Sequence, residues 1–116
     1  MIHNKLVRDK IPQIISQCGH SPIIHIADGD EYYQMLINKL IEEATEFSKS
    51  NTPDELADVL EVIHALCKYH DFCIDDIEQL RIDKRKSRGG FEDKIILDKV
   101  HTTRSAVEGI LLERLI

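Results

Sequence analysis

Apolar positions recur at helical spacing along most of this chain. Tyr32, Met35, Leu36, Leu40, Ala44 and Phe47 form one such stripe, and Leu56, Val59, Leu60, Ile63, Leu66 and Cys67 form a second. Asp28 followed by Glu31 has the spacing of a capping box and predicts where the first of these helices opens. The polar run at residues 48–53 predicts a turn between them, with Thr52 as N-cap and Pro53 at the first position of the next helix. Leu6, Ile11, Ile14 and Ile15 predict an earlier helical turn around Pro12 that ends near Cys18-Gly19. Residues 21–26, a short apolar run after a proline, read as an extended connector or at best a strand. Asp75 and Glu78 predict a further capped helix carrying Ile77, Leu80 and Ile82, which Gly89-Gly90 stops. Ile95, Ile96 and Leu97 are too short a run to assign. Residues 105–116 place Val107, Ile110, Leu111 and Leu115 on one side of a last amphipathic helix. The pattern predicts an all-α bundle of four to five helices. Helices this short rarely bury their apolar stripes alone, so completion of the bundle by dimerisation is expected.

Composition narrows the class. At 116 residues the chain fits one domain, and 42% hydrophobic with 31% charged residues is the balance of a globular protein rather than a disordered one. A net charge of −6 argues against a surface that binds nucleic-acid polymers, and no apolar run reaches the roughly 20 residues needed to span a membrane. The charged N-terminus lacks the apolar segment of a secretory signal, and three cysteines without framework spacing suit a reducing compartment. A cytoplasmic location is expected.

Two acidic pairs stand out against this background. Glu43 and Glu46 lie on one side of the predicted turn, Glu55 and Asp58 on the other. Members of each pair are spaced i, i+3, about 60° apart on a helix and about 4.5 Å apart along its axis. Folding the two helices antiparallel brings Glu43 level with Asp58 and Glu46 level with Glu55. Packed helices lie about 8–10 Å apart, so the four carboxylates can converge. Oxygen-only ligands select hard cations such as Mg²⁺, Mn²⁺ or Ca²⁺, and magnesium commonly shares its site with substrate phosphates. Glu42 adjoins the set and Glu61 continues it, and either could orient a water or take its proton. A plainer reading stays open: Glu55 as the capping-box partner of Thr52, Glu42 and Glu43 on a solvated face, and Glu46 paired to a nearby lysine.

Arg81, Lys84, Arg85, Lys86 and Arg88 precede Gly89-Gly90. They suit a helix C-terminus electrostatically, and they equally suit a clamp on phosphates. Lys5, Arg8, Asp9 and Lys10 form a second charged set, readable as surface salt bridges or as groups that reach a substrate. His64, Cys67, His70 and Cys73 mimic a zinc site. On a continuous helix, however, they span roughly 180° and rise about 13.5 Å, so they do not converge, and Cys67 reads as core.

The segments LIEEATEF and ELADVL resemble the EExxE…ExxD pattern of the all-α nucleoside triphosphate pyrophosphohydrolases, the MazG-like superfamily. NKLVRDKIPQII and KRKSRGGF resemble a small, single-domain, house-cleaning subgroup of it, so the likeness covers roughly residues 3–100. The resemblance implies a MazG-like domain over residues 1–100 followed by a C-terminal tail, 101–116. It implies Mg²⁺-dependent cleavage of a nucleoside triphosphate to the monophosphate and pyrophosphate, with Mn²⁺ as a substitute ion, in a homodimer or higher homo-oligomer. By motif position Glu43, Glu46, Glu55 and Asp58 would be metal ligands. Glu42, Glu43 and Glu46 would carry the catalysis, and Lys84, Arg88, Lys5 and Arg8 would bind substrate. The eight-residue gap between the acidic motifs is short for this superfamily, and the tail lies outside the resemblance. Two alternatives are a phosphoribosyl-ATP pyrophosphohydrolase-type activity and a catalytically silent helical module that binds nucleotide or protein.

Overall fold

The computed structural model describes residues 1–101, and over these it is all-α: α1 (Ile11–Gln17), α2 (Gly29–Ser50), α3 (Pro53–Tyr69) and α4 (Ile74–Arg88). The further helix expected at residues 105–116 lies outside the described residues. No helix among the described residues is long and apolar enough to cross a membrane. Two compact units divide the chain, Met1–Arg81 and a second that begins at Ile82.

In the first unit, tertiary packing rests on the antiparallel pair of α2 and α3. The Asp28 carboxylate accepts from the Glu31 backbone N–H at 2.8 Å and opens α2 as expected. The reciprocal half of the capping box is absent, because the Glu31 carboxylate instead meets His25 Nε2 at 3.0 Å. The hairpin turn is tighter than the polar run suggests. Residues 48–50 remain helical, and the chain reverses through Asn51 and Thr52 alone. Ser48 Oγ donates to the Thr45 carbonyl at 2.6 Å, so its hydroxyl is satisfied within the helix. Asn51 provides the stop: at φ 54° it is left-handed, a conformation asparagine tolerates well, and its N–H reaches the Phe47 carbonyl at 2.8 Å. Thr52 occupies the N-cap position ahead of Pro53 but makes no side-chain capping bond. Its hydroxyl lies 3.4 Å from that of Ser50. α4 begins at Ile74, one residue ahead of Asp75, so Asp75 lies inside the first turn rather than capping it.

Leu36 of α2 and Val62 and Cys67 of α3 are buried, with Met35, Leu40, Phe47, Val59, Ile63 and Leu66 half-buried around them. This seam differs from the stripes read in the sequence. Leu56 and Leu60 are exposed, as is Ala44, while Val62 turns inward. Helical periodicity fixes which residues share a face but not how far the helix is rotated toward its neighbour. Here α3 is rotated so that Glu55, Asp58 or Val59, Val62 and Leu66 line the seam. A group of rings closes the far end of the hairpin. Tyr33 stacks on Tyr69 (centroids 5.5 Å apart), Tyr32 meets Tyr69 edge-on at 5.9 Å, and His70 stacks on Phe72 at 5.1 Å. Tyr69 also donates to the Gly29 carbonyl at 3.5 Å.

Candidate metal centre

Glu43 stands in line with Leu36, Leu40 and Phe47 at steps of three or four, which makes it a seam residue of α2 rather than part of a solvated face. It is buried, and it is the buried charged residue among those described. Glu55 and Asp58, both half-buried, extend the Val62 stripe of α3 toward it. One carboxylate oxygen from each of Glu43, Glu55 and Asp58 lies within 4.8 Å of the other two. Glu46 is exposed and falls outside that trio, although its charge still acts on Glu55 and Lys5. The level register of four carboxylates therefore becomes a group of three with a fourth beside it. Glu55 does not serve as the capping partner of Thr52, since its carboxyl is turned to Glu43.

Charge placement explains the proton affinities. Partial burial raises the pKa of Glu55 above the ordinary glutamate value, and so do hydrogen bonding to Glu43 and the charges of Glu43, Asp58 and Glu46. The α3 N-terminus favours negative charge at this position, so burial and the neighbouring carboxylates together outweigh the helix dipole. Glu42 behaves oppositely. Burial pushes its pKa up, but the ammonium groups of Lys5 and Lys39 more than offset this and hold it below the ordinary value. Its hydrogen bond to Glu42, followed by the charge of Glu42, raises Lys5.

Three cations border the cluster. Lys39 Nζ lies 3.3 Å from Glu43 and 3.4 Å from Glu42. Lys5 Nζ lies 3.0 Å from Glu42, and Arg8 lies 2.8 Å from Asp58 and 3.9 Å from Glu61. Six carboxylates (Glu42, Glu43, Glu46, Glu55, Asp58, Glu61) thus face three cations, an excess of three negative charges when all are ionised. Lys39 was absent from the candidate residues read in the sequence. Its signal was legible there, because a lysine three and four positions ahead of Glu42 and Glu43 reaches both on a helix.

The donor set suits a hard cation. All three close donors are carboxylate oxygens, which fits Mg²⁺, Mn²⁺ or Ca²⁺ rather than a soft metal. The zinc-like set is not assembled: Cys67 is buried in the seam, while His64, His70 and Cys73 are exposed, with His70 stacked on Phe72.

The basic cluster belongs largely to the unit that begins at Ile82. Arg81 is held by Glu78, its Nε 3.0 Å from the carboxylate, and Arg85 by Glu92 at 2.8 Å. Lys84 and Arg88 have no ion-pair partner among the described residues. Gly89 ends α4 at φ 88°, donating to the Arg85 carbonyl at 2.8 Å. A Cβ at Gly90 would collide with the Arg85 guanidinium and the Glu92 carboxylate, so this glycine makes room for an ion pair. Arg88, Phe91, Glu92 and Lys94 line a shallow groove of about 410 Å³ in the same unit.

No protein-family model matches the chain. Nor does any solved structure match it. It is similar to an uncharacterized protein of Mycolicibacterium smegmatis, with 42% identity over 50 residues, covering 43% of this chain and 51% of the relative. The matched region spans about half the length of that relative.

Proposed function

We propose that this chain is a Mg²⁺-dependent nucleoside triphosphate pyrophosphohydrolase of the MazG-like type, releasing a nucleoside monophosphate and pyrophosphate in the house-cleaning of non-standard nucleotides. One observation carries the reading: three carboxylates from two helices meet within 4.8 Å at positions where a helical hairpin would otherwise place apolar side chains. Charged residues on such a seam are costly unless a counter-charge accompanies them. The three neighbouring cations balance only half of the six carboxylates. The resemblance of the acidic motifs supplies the reaction class.

In this reading Glu43, Glu55 and Asp58 hold the ion, and Glu46 joins them by motif position. A bound Mg²⁺ supplies charge for the phosphates and lowers the pKa of water. Water adds to the α-phosphorus, the bond from that phosphorus to the bridging oxygen breaks, and pyrophosphate departs. Glu42, kept ionised by Lys5 and Lys39, accepts the hydrogen bond of the attacking water and takes its proton. Lys84 and Arg88 are assigned to the pyrophosphate on motif position. A second copy of the chain, in a cytoplasmic homodimer or higher oligomer, covers exposed Leu56 and Leu60.

Pyrophosphate release from standard, deoxy and damaged nucleoside triphosphates and from phosphoribosyl-ATP, with Mg²⁺ and with EDTA, tests the proposal. Magnesium-dependent release that Glu43→Gln and Asp58→Asn abolish, with helicity unchanged by circular dichroism, is the expected result. Turnover of phosphoribosyl-ATP alone would move the activity to that substrate. Full activity in both variants refutes the carboxylate site, and silence across the panel refutes the enzyme reading. It would leave a helical binding module whose acids serve an ion-pair network, a role the Arg8–Asp58 and Lys39–Glu43 pairs already illustrate.

A further inference from the structure

The segment ahead of α1 has no regular structure, yet it is tied to the hairpin at two points. Lys5 is bonded to Glu42 at 3.0 Å and Arg8 to Asp58 at 2.8 Å, with half-buried Leu6 between them. Asn4, at φ 48°, bends the backbone just before Lys5. Arg8 also approaches Glu61 to 3.9 Å, so its guanidinium bridges two carboxylates one helical turn apart on α3. Asp58 thus belongs to two arrangements: it is one of the three clustered carboxylates, and it is the partner of an arginine from outside the hairpin. A guanidinium and a divalent cation both draw on its negative charge.

Resting on the metal-centre reading above, we infer that residues 4–9 form an intramolecular cationic latch. Arg8 holds Asp58 in the metal-free protein and releases it to an incoming divalent ion. The pair is suited to opening. Its side chains are 55% and 38% exposed, and ion pairs of that exposure shift an equilibrium by about two- to fivefold. Lys5, on Glu42 rather than on the trio, keeps the segment docked while Arg8 moves. The freed guanidinium then stands beside the ion as a forked donor suited to a phosphate oxygen pair.

Calorimetric titration with Mn²⁺ alone, nucleotide absent, separates the latch from the metal site itself. Arg8→Gln is expected to bind Mn²⁺ about two- to fivefold more tightly than the wild-type chain. Arg8→Lys should fall between them, and Asp58→Asn should bind more weakly. Lys10→Gln removes an equal charge from an exposed residue just beyond that segment and should leave the affinity unchanged. Wild-type binding that Asp58→Asn weakens, with Arg8→Gln no tighter than wild type, overturns the latch and leaves the metal centre standing. Equal tightening in Lys10→Gln and Arg8→Gln also overturns it, since the cause is then net charge. Binding by Arg8→Gln alone supports the latch, whereas absence of binding in wild type and Arg8→Gln alike overturns latch and metal centre together.

Discussion

Replacing Lys39 by Met keeps the aliphatic stem of the side chain and removes its charge. Lys39 Nζ lies 3.3 Å from Glu43, and the two side chains are only 17% and 10% exposed. Breaking a fully buried pair costs about 3–5 kcal/mol, whereas exposed pairs are worth about 0–1 kcal/mol. This pair sits nearer the buried limit on the Glu43 side, but Lys39 keeps some contact with solvent, so a loss of about 1–3 kcal/mol is expected. For a chain of this length that corresponds to a fall of about 4–12 °C in Tm. Thermal unfolding followed by circular dichroism at low ionic strength, with EDTA present, measures it. Because the loss comes from leaving Glu43 uncompensated, Glu43→Gln in the Lys39→Met background should recover stability, with a coupling of at least about 0.5 kcal/mol in the double-mutant cycle. Excess Mn²⁺ should raise the Tm of Lys39→Met further than that of the wild type, as an ion takes over the missing countercharge. A Tm for Lys39→Met within about 1 °C of wild type in EDTA would refute the argument, since Glu43 would then be solvated well enough to need no partner.

Two further substitutions probe the hairpin. Glu55→Gln should stabilise the metal-free protein at neutral pH, because it removes a charge that partial burial and the neighbouring carboxylates disfavour. A carboxyl whose pKa is raised on folding takes stability away as pH rises from its unfolded value through its folded one, so the gain in Tm should vanish as pH falls below the ordinary glutamate value. Leu36→Ala empties the most completely buried position, 1% exposed, and should cost about 2–5 kcal/mol in urea unfolding with the slope unchanged.

The hairpin itself was legible. Periodicity marked α2 and α3, Asp28 marked where α2 begins, and Pro53 marked the first residue of α3. The turn was read too long because serine and lysine at its edge are compatible with an exposed final helical turn. Only the left-handed Asn51 ends α2. The acidic motifs were equally plain, but their register was not. Levelling the helices put Glu46 opposite Glu55, whereas the fold joins Glu55 and Asp58 to Glu43 and leaves Glu46 exposed. Val62 went unread as core and Leu56 and Leu60 were read as buried, for the same reason: rotation about the α3 axis is set by packing on α2.

The sequence by itself determined the all-α class, the hairpin, and the spacing that puts carboxylates on facing helices, because these depend on local backbone preference and on helical periods of a few residues. The tertiary structure decided the rest. It chose which face of α3 meets α2, and so drew Glu43, Glu55 and Asp58 into one group on the seam. It also brought Arg8 onto Asp58, 50 positions away in the chain, a pairing no local rule specifies. Long-range electrostatic pairs form where packing delivers the charges, and only the folded chain fixes that delivery.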